Sequence, residues 1–339
     1  MLENGFTLSS CFMIVGFLLA MFSCVSNDII QTLGTFLSAN KKTNSLYIWA
    51  FTSIVLILTI GIGWVVNDGD MSFGRLDRIP VTHTFTIIHV LPPIILLVLT
   101  RYGIPVATAF LILSMFSVSD AHVIGLMLTK SFIGYVVAFV CALIIYNIIA
   151  RPIERYFYYT QKKHSKNISK WWMVAKWCST AFLWSQWIMQ DAANLFVYLP
   201  RKASLGELIF VLVSCTIFMG FIAFNRGGEI QNIVKMKTNV QDPRSATIID
   251  LIYASLLLYF IQLNNIPMST TWVFLGLLAG REIALYHRLR FESPKKMYKH
   301  ILKDLAKVTF GMIVSLLTVL ILTQFHVVKD FFLMHFINM

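Results

Sequence analysis

The chain has 339 residues, of which 57% are hydrophobic and 13% charged, with a formal net charge of +12 and a mean hydropathy of +0.72. Soluble domains carry roughly 25% charged residues, so a soluble globular protein is excluded, and the positive charge becomes a question of which loops hold it. The five cysteines (Cys11, Cys24, Cys141, Cys178 and Cys215) are scattered through apolar segments without a CxxC pair, which indicates neither a disulfide framework nor a metal centre.

Apolar runs recur along the chain at lengths near the roughly 20 residues that cross a bilayer. The N-terminus lacks a basic region and a small-residue cleavage site, so residues 7–24 read as a retained helix. Ten membrane segments follow, near residues 7–38, 46–66, 84–100, 104–118, 122–150, 171–199, 206–225, 246–263, 267–280 and 304–325. The first is long and interrupted. Those at 104–118 and 267–280 begin GIPVAT and PMSTT, are short for a span, and could re-enter the bilayer.

Loop charge alternates. Residues 151–170 set Arg151, Arg155, Lys162, Lys163, Lys166 and Lys170 against Glu154, and residues 281–303 set seven basic residues against Glu282 and Glu292. Loop 226–244 is also basic, and Lys41, Lys42 and Arg101 join the same side, whereas 67–82 holds three acids against two bases and Asp120 lies at 119–122. The positive-inside rule makes the basic set cytoplasmic and puts both termini outside; the expected location is integral to a plasma membrane, of the bacterial cytoplasmic (inner) type. Only Arg201 and Lys202 oppose the pattern. Topology and anionic lipid account for the basic loops, so no nucleic-acid partner is needed. Trp171, Trp172 and Trp177 sit where an interfacial aromatic belt would lie.

The stretch VSNDIIQTLGT places Asp28 at the end of an apolar run, where it could mark a helix end among headgroups. QDAANLFVYLPR repeats the arrangement with Asp191, 163 positions on. Pro105 of GIPVATAF and Pro267 of NIPMSTTW are 162 apart, and VNDGD at 66–70 precedes FNRGG at 224–228 by 158. Ordered matches at nearly one offset indicate an internal repeat, residues 1–150 and 171–325, with a basic linker at 151–170 and a tail at 326–339. Five segments per repeat is odd, so the second copy enters from the opposite side. The expected fold is an all-α polytopic membrane protein of two inverted five-segment repeats with broken helices at the midplane. Asp250, in SATIIDLIYASLLLYF, lies at membrane depth and needs a partner. Its counterpart, His89, reads as a core histidine. Pro267, Ser269, Thr270 and Thr271 would open a helix with free N–H groups and hydroxyls, which suits either an oxyanion or a simple N-cap.

Together these motifs resemble the inorganic phosphate transporter (PiT) family of sodium- or proton-coupled phosphate permeases. SNDIIQTLGT matches that family's Gly-(Ala/Ser)-Asn-Asp-x-x-Asn-x-x-Gly-(Thr/Pro) pattern at Ser26, Asn27, Asp28, Gly34 and Thr35, with Gln31 in place of Asn. QDAANLFVYL matches at Asp191 and Asn194, with Gln190, Val197 and Tyr198 as departures. Pro267-Met268-Ser269-Thr270-Thr271-Trp272, followed by Gly276 and Gly280, is similar to the family's Pro-Val-Ser-Thr-Thr-His element, and Pro105 to Phe110 is its eroded first-half form. The resemblance implies symport of inorganic phosphate with a cation. Asn27, Asp28, Gln31, Asp191, Asn194 and Asp250 would bind the cation, including bound Na+, and Ser269, Thr270, Thr271 and Thr108 the anion. No catalytic residue, cofactor or other metal is implied, and a homodimer is left open. The missing hydroxyls at Ala107 and Ala109 and the missing histidines at Phe110 and Trp272 keep two alternatives in view: another oxyanion such as sulfate, and a transport-inactive scaffold of the same fold. An enzyme is not expected, because no His/Asp/Glu grouping occurs at ligand spacing.

Overall fold

The computed structural model describes residues 7–40, 42–102, 104, 106–117, 120–148, 156, 157, 160, 169–225, 243–263, 265–289 and 294–336. Most of the basic stretch 151–170 and of loop 226–244, together with Gly103 and Pro105, lies outside them. Among the described residues every regular element is helical. The first half holds α1 (Leu8–Thr32), α2 (Gly34–Ala39), α3 (Ser45–Val66), α4 (Ile87–Arg101), α5 (Thr108–Phe116) and α6 (Ala121–Ile148). The second holds α7 (Lys170–Asp191), α8 (Ala193–Phe196), α9 (Leu205–Phe224), α10 (Pro243–Leu263), α11 (Thr270–Leu289) and α12 (Pro294–Phe336). Of these, α1, α3, α6, α9, α10 and α12 are long and apolar enough to cross a membrane.

Start signals are local. Thr7 caps α1 by accepting from Ser10 N at 3.2 Å, Asn44 caps α3, and Ser204 and Glu207 form a reciprocal box at α9. His89 closes a similar box on Thr86 at the start of α4. Both motif helices break inside the motif: α1 stops at Leu33 before α2, and α7 stops at Ala192 before α8.

The two short segments resolve differently. The nine residues of α5 rise about 14 Å, half of the roughly 30 Å hydrocarbon core, and all nine are buried. Segment 104–118 therefore does not span. Helix α11 starts at the equivalent point but continues for 20 residues. Within the expected tail at 326–339, the described residues continue α12 to Phe336. No glycine or proline follows Gly311 in that stretch, so nothing breaks the helix.

Packing repeats between the halves. Helix α1 packs on α4 and α7 on α10; α5 lies on α12 and α11 on α6; α3 meets α9. Exchanging the halves leaves this set of pairings unchanged, as an approximate two-fold axis requires. The α6–α11 contact is close because Gly276 and Gly280 face the backbone carbonyls of Tyr135 and Phe139, the use membranes make of small residues. On the 67–86 side, Trp64 Nε1 donates to Ala203 O at 2.8 Å and Ala203 N donates to Gly69 O at 2.9 Å. Arg201, which opposes the charge pattern, donates to Ile79 O at 3.0 Å and Pro80 O at 3.2 Å. Burial pulls its pKa down while Asp70 and Asp77 hold it up. Its place is thus set by packing between the two halves' connections.

Candidate functional site

The two broken helices bring Asp28 and Asp191, 0% and 1% exposed, into one buried cluster close enough to interact electrostatically. In the first half's motif, Gln31 Nε2 donates to Asp28 Oδ1 at 2.8 Å and across the halves to Thr270 Oγ1 at 3.2 Å. Thr270 Oγ1 in turn donates to Asp191 Oδ2 at 2.5 Å. The second half makes the same circuit. Asn194 Nδ2 donates to Asp191 Oδ1 and to Thr108 Oγ1, both at 3.4 Å, and Thr108 Oγ1 donates to Asp28 Oδ2 at 3.4 Å. Each amide thus links its own acid to the opposite half's threonine. Tyr253 steadies one arm, its hydroxyl 3.3 Å from Gln31 Oε1 and 3.0 Å from Thr270 O.

Asn27 is used within its own half. Its amide donates to Val106 O and Asp28 Oδ1, each at 2.8 Å, which fixes the extended stretch before α5 against α1. Gln190, the equivalent residue, is 1% exposed, and neither polar atom of its amide makes a hydrogen bond among the described residues. The same holds for Asn194 Oδ1 and Ser269 Oγ. Buried polar atoms are ordinarily satisfied. Ser269 N is tied to Ser131 Oγ at 2.8 Å, and Ser269, Thr270 and Thr271 are all buried at the start of α11.

Asp250 is not brought into this cluster. It belongs to a separate buried group, paired with Lys176 Nζ at 2.6 Å and accepting from Thr35 Oγ1 at 3.1 Å and Thr180 Oγ1 at 2.9 Å. Its requirement for a partner is met by an ammonium inside α7, a residue that sequence reasoning passed over. The available signal was a lone lysine within an otherwise uncharged helical stretch, which at membrane depth implies a counter-charge. Gln190, Thr35, Thr180 and Tyr253 were likewise not assigned as site residues. His89 is a helix cap, and its carbonyl accepts from Tyr198 OH at 2.8 Å.

A solved structure described as "The sodium-dependent phosphate transporter" is similar to this chain, with a TM-score of 0.56 over 92% of this chain and 98% of that one, at 14% sequence identity. No protein-family model and no curated protein sequence matches the chain. The chain is an all-α integral membrane protein that shares the fold of that transporter.

Proposed function

We propose that the protein is a secondary transporter that moves inorganic phosphate across a membrane together with sodium. The observation that carries this reading is the reciprocal hydrogen-bond circuit joining Asp28 and Asp191 through Thr108 and Thr270. Two carboxyl groups held together away from water repel when ionised. A cation among them relieves that repulsion, and the oxygens of Gln190 and Asn194 are suited to complete its shell. The anion would sit against Ser269, Thr270 and Thr271, where a helix start presents hydroxyls and N–H groups, its own charge offset by the neighbouring cation. Residues 1–150 and 171–325 then act as inverted repeats that rock around the circuit, the shared midplane site of this kind of architecture. The fold likeness to a sodium-dependent phosphate transporter supports the same choice of cargo.

The test is radiolabelled phosphate uptake into proteoliposomes, with an inward sodium gradient, with a proton gradient, and with neither. The reading expects uptake to follow sodium and to be displaced by phosphate rather than sulfate. Uptake that follows only pH would assign protons as the coupling ion. Absence of uptake under every gradient would leave a scaffold of this fold.

A further inference from the structure

We infer that the Asp250 group is a cation seat filled by the chain itself, with the ammonium of Lys176 standing where a mobile monovalent cation would otherwise bind. This rests on the cation-coupled reading above. The seat is one carboxylate and two hydroxyls from three helices: Asp250 on α10, Thr180 on α7 and Thr35 on α2. Such a shell of oxygens is what a hard cation takes. Lys176 lies one turn before Thr180 and reaches the same atoms, at 2.6 Å from Asp250 Oδ2 and 2.9 Å from Thr35 Oγ1. Its side chain is 0% exposed. An ammonium carries the same single charge as sodium and has donors enough for this shell, but it cannot leave.

The consequence reaches the central cluster through α2. Thr35 lies just beyond the break at Leu33, four residues after Gln31, so the seat fixes the distal part of the broken helix that carries Asn27 and Asp28. A mobile ion there would be bound and released in each cycle; a tethered one is not. Lys176 therefore sets the coupling stoichiometry, lowering it by one cation relative to a chain with a neutral residue at 176. Among the described residues, the equivalent positions of the other half form no such seat. At equivalent positions Asp250 is replaced by His89, Thr35 by Tyr198 and Lys176 by Met13. There the Tyr198 hydroxyl meets the His89 carbonyl, and Tyr198 packs among aromatic rings.

The test uses purified full-length protein and two readouts independent of phosphate: radiolabelled sodium binding, and thermal unfolding in sodium against choline chloride. Lys176→Ala empties the seat and should bind one sodium more than the unsubstituted protein, with a larger sodium-specific rise in Tm. That gain should persist with Asp28→Asn and Asp191→Asn added, which separates it from the central cluster, and vanish when Asp250→Asn is added. A folded Lys176→Ala protein without the extra sodium would overturn the inference. Should that variant not fold, Lys176→Met with Asp250→Asn decides: sodium stoichiometry equal to the unsubstituted protein supports a tethered cation, and the loss of one sodium overturns it.

Discussion

Gln31 and Asn194, 163 positions apart, make equivalent pairs of hydrogen bonds: each donates to the acid of its own half and to the threonine of the other. The circuits differ in tightness. The arm through Thr270 has links of 3.2 and 2.5 Å, and the arm through Thr108 has two of 3.4 Å. Thr270→Val should therefore weaken phosphate binding more than Thr108→Val. A hydrogen bond to a charged group is worth about 1.5–3 kcal/mol, so the loss at Thr270 is roughly 10- to 150-fold, read as the shift in half-saturating phosphate. Equal and mild effects would make both residues ordinary helix caps.

The Lys176–Asp250 pair predicts asymmetric stability effects. Removing one partner leaves the other charge buried, which costs about 3–5 kcal/mol, whereas replacing both with apolar residues is often neutral. Asp250→Leu should lower the unfolding midpoint in choline chloride sharply, and Lys176→Met with Asp250→Leu should recover most of the loss. Additive losses in thermal unfolding would contradict a compensated pair.

Glycines on the crossing helices should separate cleanly. An added Cβ at Gly276 would overlap Tyr135 O, while one at Gly125 meets nothing within 4 Å. Gly276→Ala should force α6 and α11 apart and lower Tm. Gly125→Ala should be neutral or stabilise by up to about 1 kcal/mol, the helix-propensity difference. A Gly276→Ala protein with unchanged Tm would place the helices further apart.

Topology is open to labelling. In a cysteine-free background, Val81→Cys, at a position 55% exposed, should react with an impermeant thiol reagent from outside. Lys295→Cys, at an exposed position near the start of α12, should react only from the cytoplasmic side. Labelling of both from one side would remove the assignment made from loop charge.

How much was legible follows from how local each signal is. Recurring patterns bring out Asp28 and Asp191 and a helix-start argument brings out Thr270, while Gln31, Asn194 and Thr108 are singled out only by the resemblance to the phosphate transporter motifs. Their reciprocal wiring was not legible, because it depends on contacts such as Gln31 to Thr270, 239 positions apart. Asp250 announced its need for a partner, but Lys176 lies 74 positions away in a helix whose tryptophans suggested a membrane interface. The first-half proline element looked eroded by its alanines, yet Thr108 alone occupies the position that closes the circuit. The first-half proline segment was legible as short for a span; where its helix ends was not, because α5 is as apolar as a span and stops after nine residues.

The central claim is that Asp28 and Asp191 hold the coupling cation beside the anion, and the most direct measurement is phosphate-dependent sodium binding to Asp28→Asn and Asp191→Asn proteins. These substitutions keep size and most hydrogen bonding and remove charge. In the unsubstituted protein phosphate should raise sodium affinity, and sodium should raise phosphate affinity by the same factor, because linkage is reciprocal. Each variant should lose that mutual enhancement, together with sodium-driven phosphate uptake in proteoliposomes. Retention of both in either variant would contradict the account and leave that acid as a structural member of the cluster.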